Sequence, residues 1–388
     1  MECSATTLWS IERQKNEILA FLRSNSPDQG LALDNPTSPQ HYALTWLLQD
    51  LPHHQVFTTI SAHDQEFILT RYAMATLYYA TNGANWTQND RWLSADAICS
   101  WYGVLTNTAC SNTTQRLRRT LEQTQVAVIH LDLSANRLEG SLPDELVFLT
   151  SLQNLNLSTN QLEGALPSGW GGFNHSFVSL DLSTNALQGT IPKPWGDLVA
   201  LQLLNVNQNR LSGSLPPFLF QWSGLHELYL DDNSVNGTIG TEIGRLSSLQ
   251  HFSAQRCGWT GSIPSEIGLL QQLQTVSLDG SKGMRGPLPD EIWSLSQIRL
   301  VSLNWVNLSG QISRKIGQAG RLEVLSIGSN RLAGSLPSEI GLLQNLTVLD
   351  IAVGDIQFKV AGKVSSCELL LQWTTAVGNK SYEEFEGV

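Results

Sequence analysis

The residues of this chain that could do chemistry cluster near its middle. Asn205, Asn207, His226, Glu227, Tyr229, Asp231, Asp232, His251 and Arg256, with Trp305 further along, bring together an aromatic ring, both charge signs and several hydrogen-bonding groups. That set suits recognition of a peptide, protein or glycan, because a ring offers apolar area and polar groups fix orientation. It does not suit catalysis. The sequence has no H-E-x-x-H, no C-x-x-C, no Walker-type phosphate loop and no kinase glycine loop with its lysine. His53 and His54, with His41 and His63 some distance away, have no cysteine or carboxylate at a recognisable ligand spacing. The chain is therefore read as a non-enzyme without metal or cofactor.

What positions these residues is a sequence period. The frame L-x-x-L-x-L-x-x-N-x-L-x-G-x-[IL]-P starts near Val128, and one copy holds Leu152, Leu155, Leu157, Asn160, Leu162, Gly164, Leu166 and Pro167. Later copies begin at Phe177, Leu201, Leu225, Leu249, Leu273, Ile298, Leu322 and Leu346, at spacings of 24 or 25 residues. Leu-x-Leu alternation is strand-like, apolar side chains to one side and x residues to the other. One such strand cannot bury its apolar side alone, so the copies must stack into a parallel sheet over a continuous core. At about 4.8 Å per strand, ten copies span roughly 45 Å. The Asn column is Asn136, Asn160, Asn185, Asn209, Asn233 and Asn330, with Cys257 standing in it as a buried thiol. Inward Asn side chains there satisfy backbone groups at the bend after the strand. The Gly column, from Gly140 to Gly334, suits a turn with unusual dihedrals. The x residues of the strands line a concave face, and Tyr229 points outward between buried Leu228 and Leu230, with Asp231 and Asp232 following it on the same strand.

The L-x-G-x-[IL]-P frame resembles the plant-type leucine-rich repeat found in ectodomains of receptor-like kinases, receptor-like proteins and polygalacturonase-inhibiting proteins. The resemblance covers 128–353 and implies an α/β solenoid, a right-handed superhelix with a helical N-terminal region and cap. It also implies a non-catalytic receptor-type extracellular recognition module. A secreted inhibitor of wall-degrading glycosidases and a structural or adhesive surface protein are the alternatives. Trp86, Trp92-Leu93, Cys99, Trp101, Gly103-Val104 and Cys110 resemble the plant-type N-terminal cap, C-x-W-x-G-V-x-C, which implies a Cys99–Cys110 disulfide in exported protein. The spacing to Cys110 is longer than in that pattern. The runs Ser26-Pro27-Asp28-Gln29-Gly30, Ser38-Pro39-Gln40, Ala43-Leu44-Thr45-Trp46-Leu47 and Arg71–Gly83 resemble the preamble of diatom-type leucine-rich repeat proteins, where it follows a membrane span.

Four segments are expected: a helical region over 1–84, a cap over 85–127, about ten repeats over 128–353 and a divergent end over 354–388. In the first, the spacing predicts helices over Ile11–Arg23, over Pro39–Asp50 behind an N-cap at Ser38, and over Ala62–Thr81 between Ser61 and a stop at Gly83. A net charge of −11 disfavours nucleic acid as a partner. No stretch is long and apolar enough to cross a bilayer, and the first residues lack the order of a signal peptide. An extracellular or cell-surface location is nonetheless expected, with membrane association only through an upstream anchor. Sequons at Asn85, Asn112, Asn156, Asn174, Asn236, Asn307, Asn345 and Asn379 are candidate glycosylation sites.

Overall fold

The computed structural model describes residues 5–50, 60–107, 126–173, 175–353 and 356–361. The chain divides into two compact units, Met1–Ala200 and Leu201–Val388. His53, His54, Cys110, Asn112, Asn174 and Asn379 lie outside the described residues.

The first unit opens with helices α1 (Ala5–Asn25), α2 (Leu31–Asp34), α3 (Pro39–Asp50) and α4 (Ala62–Ala80). The Ser38 hydroxyl accepts from the His41 N–H at 3.0 Å, as an N-cap should. Ser61 and Asp64 form a reciprocal capping box at the start of α4. The expected stop at Gly83 is corrected. Asn82 takes the left-handed conformation (φ 58°) that ends the helix. Gly83 is required for space instead, since a Cβ there would lie 2.2 Å from the Tyr78 ring.

These helices share a core of Ile18, Leu22, Leu33, Leu44, Leu47, Ile68 and Tyr72. Beside it, Arg71 and Asp50 form an ion pair at 2.7 Å with side chains only 2% and 4% exposed. Arg71 also donates to the carbonyls of Ser94 (2.8 Å) and Asp96 (3.2 Å). Its guanidinium lies 5.1 Å from the ring centres of both Trp46 and Trp101. This arginine ties α3 and α4 to the Trp-rich segment that follows them. In that segment Trp86, Trp92 and Trp101 contact one another in sequence, with ring centres 4.7 and 5.2 Å apart.

Strand β1 (Val104–Thr106) then pairs antiparallel with β2 (Val128–Asp132). Parallel to β2 follow β4 (Asn154–Asn156) and β6 (Ser179–Asp181). A second small sheet holds β3 (Glu139–Ser141), β5 (Gln161–Ala165) and β7 (Ala186–Gly189). Between the two run short 3-10 turns such as Asp144–Phe148 and Ser168–Gly172. Leu131, Leu155 and Leu180 are buried to within 1%, as the alternation demands.

The second unit repeats the scheme. Its main sheet orders β8 (Leu203–Asn205), β10 (Glu227–Tyr229), β12 (His251–Ser253), β14 (Thr275–Ser277), β16 (Leu300–Ser302), β18 (Val324–Leu332) and β19 (Val348–Val353), all parallel. The second sheet orders β9 (Arg210–Gly213), β11 (Ser234–Thr238), β13 (Gly258–Gly261) and β15 (Gly283–Met284). A short β17 (Ser309–Gly310) pairs with β18. After β19 the repeat is abandoned, and β20 (Ile356–Ala361) folds back antiparallel along it.

The periodic columns acquire physical reasons. Gly140 has φ 102°, and a Cβ there would meet the Ala80 carbonyl at 2.4 Å. The other eight glycines of its column also have positive φ. The prolines act as N-caps of the 3-10 turns, and Ser313, where proline is missing, caps with its hydroxyl to the Lys315 N–H. Asn160 donates from Nδ2 to the carbonyls of Leu133, Leu157 and Ser158 at 2.9–3.1 Å. Its Oδ1 accepts the N–H groups of Asn136 and Leu138, both at 3.0 Å. In the first repeat Asn136 has no preceding coil to bond and exchanges two hydrogen bonds with the Gln88 backbone instead. The segment over 85–107 thereby continues the ladder. Cys257 keeps one of the Asn contacts, Sγ to the Leu230 carbonyl at 3.3 Å. It is a free, buried cysteine whose thiol burial pushes up to about 11, and so an unreactive one.

Candidate functional site

The ten sequence-nominated ligand residues fall into three structural groups. Asn205, Glu227, Tyr229 and His251 lie on strands. His226 directly precedes β10, and its Nδ1 is buried without a hydrogen-bond partner.

Asn207 and Asp231 lie past the strand ends, which corrects the expectation that Asp231 and Asp232 continue the strand of Tyr229: β10 is three residues long. Their side chains are engaged in satisfying backbone. Asn207 Oδ1 accepts the Asp231 N–H and Asp231 Oδ1 accepts the Gln255 N–H, both at 2.6 Å. Asp279 and Asn304 repeat the pattern towards the N–H groups of Asn304 and Gly328. In the first unit a strand residue does this locally. Asp132, Asn156 and Asp181 each accept the N–H two residues on. Where the same strand column carries Tyr229 or Ser253, the acceptor must come from the preceding coil.

Asp232, Arg256 and Trp305 form the third group. All three occupy the column just before the Asn position and have left-handed backbones, with φ of 55°, 50° and 58°. They sit on a turn, not on a strand. Arg256 makes a two-pronged ion pair with Asp232. That partner holds the Asp232 carboxyl below its ordinary range and the guanidinium above its own. The two charges are therefore paired across neighbouring coils, with the arginine side chain 56% exposed. Trp305 is 58% exposed.

What remains on the strand face of the second unit is a pair of columns. One reads Tyr229, Ser253, Ser277, Ser302 and Ser326 in register. The other reads Glu227, His251, Thr275, Leu300 and Val324. The Tyr229 hydroxyl donates to Glu227 Oε2 at 2.9 Å. Burial, then the Glu227 hydrogen bond and charge, raise the phenol above its usual range, so it stays protonated. A ring nitrogen of His251 lies 2.9 Å from the Thr275 hydroxyl. The face thus presents a half-buried ring and an acid at one end, a floor of small hydroxyls, and the half-exposed side chains of Leu300 and Val324 at the other. Thr275, Leu300 and Val324 escaped the sequence reading, which weighed bulk and charge. Following the column of Glu227 through the period finds them.

Of the sequons, Asn85, Asn236 and Asn345 are exposed. Asn156 and Asn307 are half-buried and hydrogen-bonded, Asn156 to Ser158 and Asn307 to the Lys282 carbonyl. Cys99 is disulfide-bonded. Among the described residues no helix is long and apolar enough to cross a membrane.

The Leucine Rich Repeat family model matches residues 127–149, 151–173, 200–222 and 321–343. No curated protein sequence matches the chain. Among solved structures, the plant peptide hormone receptor RGFR1 in complex with RGF2 is 36% identical (TM-score 0.53) over 56% of this chain and 34% of that one. The Arabidopsis receptor kinase HAESA, in complex with the peptide hormone IDA and the co-receptor SERK1, is 26% identical (TM-score 0.61) over 75% of this chain and 46% of that one. A plant ice-binding protein is 25% identical (TM-score 0.60) over 72% of this chain and 86% of that one. The chain spans about a third of the RGFR1 chain and under half of the HAESA chain. Its fold is a leucine-rich-repeat solenoid, with repeats of the kind that build plant receptor-kinase ectodomains.

Proposed function

We propose that the chain is a non-catalytic, receptor-type recognition module of the extracellular space, and that it binds an extended peptide across the strand face of its second unit. The observation that carries this reading is the graded pair of columns. The Glu227 and Tyr229 end suits a basic residue with a hydrogen-bonding or apolar neighbour. The row of small serines leaves room for backbone, and Leu300 and Val324 suit an apolar residue. The receptors similar to this chain that were solved with peptide hormones support a peptide over a glycan.

Panning a random-peptide display library against the folded chain tests the proposal. Enriched peptides should pair a Lys or Arg with an apolar residue several positions away. Tyr229→Ala should then weaken the best peptide by about 1–3 kcal/mol, the range of an interface hot spot. Melting should change little, because an outward strand residue contributes little to the core. Ser326→Ala, further along the same column, should bind as wild type. No enrichment, or equal affinity for the Tyr229 variant, would remove the peptide reading. Thermal hysteresis of ice growth by the same preparation would favour the reading suggested by the ice-binding neighbour.

Export carries its own expectation. Disulfides persist in oxidising compartments, and Cys99 should be paired with Cys110. Peptide mapping without reductant should recover the Cys99 and Cys110 peptides as one linked species. A different partner would correct the cap, and free thiols at both positions in exported protein would overturn the pairing.

A further inference from the structure

The side of the second unit formed by β9, β11, β13, β15, β17 and the end of β18 has a charge opposite to that of the whole chain. Its stretches 210–216, 234–240, 258–264, 282–289, 307–313 and 331–337 hold no Asp or Glu, although the net charge is −11. They do hold Arg210, Lys282, Arg285 and Arg331. Val235, Trp259, Met284, Leu308 and Leu332 point into the core, each at most 3% exposed, so the residues on either side of them face out.

Three of these cations gather around one exposed ring. Asn307 donates from Nδ2 to the Lys282 carbonyl. The bridge between Gly286 and Leu308 sets Arg285 beside Asn307, and the pairing of β17 with β18 sets Arg331 beside Ser309. Lys282 and Arg285 thus lie about two strand spacings from Arg331, roughly 10 Å across the sheet. Trp305, 58% exposed, stands on the turn two residues before Asn307. Among the described residues the ion pairs of the second unit are Arg256–Asp232, Arg299–Glu323, Arg314–Glu339 and Lys315–Asp290. Lys282, Arg285 and Arg331 take part in none of them, and all three are exposed.

We propose that this side of the second unit binds an anionic polysaccharide, separately from the strand face that carries Tyr229. A sugar ring lies on the Trp305 indole, and the acid groups of neighbouring sugars meet Lys282, Arg285 and Arg331. An indole offers flat apolar area to the C–H groups of a pyranose. Free cations spaced along a sheet suit a ligand whose negative charges recur along a chain. A bilayer surface is the poorer match. Trp305 is the one large apolar side chain of the patch, and its outward neighbours Asn307, Ser309 and Ala333 are polar or small, so little could insert. An acidic peptide offers the charge without a ring repeated in every unit.

The test uses the full chain and affinity electrophoresis through gels that contain polygalacturonate, dextran sulfate or neutral dextran. At least one acidic polymer should retard the chain, dextran should not, and added salt should weaken the effect. Retardation by polygalacturonate alone identifies the carboxylate as the recognised group, and by dextran sulfate alone the sulfate. Trp305→Ala leaves the charge unchanged and should weaken binding about tenfold, a loss typical of an interface tryptophan. The triple variant Lys282→Gln, Arg285→Gln, Arg331→Gln should lose about tenfold or more. These side chains are exposed, so melting should change little. Arg314→Gln with Lys315→Gln removes positive charge elsewhere in the second unit and should bind as wild type. Tyr229→Ala should also bind as wild type, so this proposal and the peptide reading fail separately. Equal retardation by dextran, no retardation by either acidic polymer, or wild-type binding by the Trp305 variant would overturn the proposal. Tighter binding to polyglutamate, single-stranded DNA or phosphatidylserine vesicles than to either polymer would do the same. So would a glycan on Asn307 of exported protein, found by mass spectrometry, because it would cover the patch.

Discussion

Replacing Arg71 with methionine should lower the unfolding free energy of the first unit by about 3–5 kcal/mol, the range for removing one partner of a buried ion pair. The pair's attraction is not the whole cause. Methionine fills much of the arginine's volume, but it leaves the Asp50 carboxylate buried and the Ser94 and Asp96 carbonyls without their donor. The flat guanidinium between Trp46 and Trp101 is lost with it. Urea unfolding followed by tryptophan fluorescence is the natural measurement, because two of the rings lie at the site. The double variant Arg71→Met with Asp50→Leu should recover part of the loss, since it removes the buried negative charge. A single-variant loss below about 1 kcal/mol, the range of exposed pairs, would mean that water reaches the pair.

Asn160→Ala should cost about 3 kcal/mol, through the N–H groups of Asn136 and Leu138 left without an acceptor and the carbonyls of Leu133, Leu157 and Ser158 left without a donor. Five bonds at about 1 kcal/mol net each set an upper figure, and partial rescue by water sets the lower one. Equilibrium unfolding in urea reads it directly. A loss of only a few tenths of a kcal/mol would show that the column tolerates an empty position by hydration. The natural cysteine at position 257 keeps one contact of this kind, so Asn160→Cys should fall between alanine and wild type.

What was legible in the sequence was whatever one backbone geometry imposes on every copy. The leucine, asparagine and glycine columns are of that kind, because strand alternation, an orphaned bend and a left-handed turn recur each time. The Trp-rich segment was legible through Trp86, Trp92 and Trp101, whose rings contact one another. Local helix signals were legible at Ser38 and Ser61, but the end of α4 was misassigned by one residue, because asparagine also tolerates left-handed backbone and Gly83 is needed for clearance. The Arg71 cluster was not legible. Its members sit at positions 46, 50, 71, 94, 96 and 101, with no period to connect them. The candidate site was half legible. Position in the frame showed that Tyr229 points out of the core, but not that Asn207 and Asp231 serve the neighbouring backbone. That role depends on which residue the next coil carries on its strand, a relation between copies rather than within one.

That relation bears on how such an array changes over generations. Asn207, Asp231, Gln255, Asp279 and Asn304 occupy equivalent places, and most hand an oxygen to the next member's N–H. Excising residues 231–254 in frame would join Leu230 to Gln255 and set the Gln255 N–H where that of Asp231 had been, facing Asn207. The apolar columns would close up in the same register. Unequal recombination between copies can therefore add or drop whole coils here without orphaning the seam. The length of the parallel sheet becomes a heritable variable, tuned by duplication and loss rather than by point substitution.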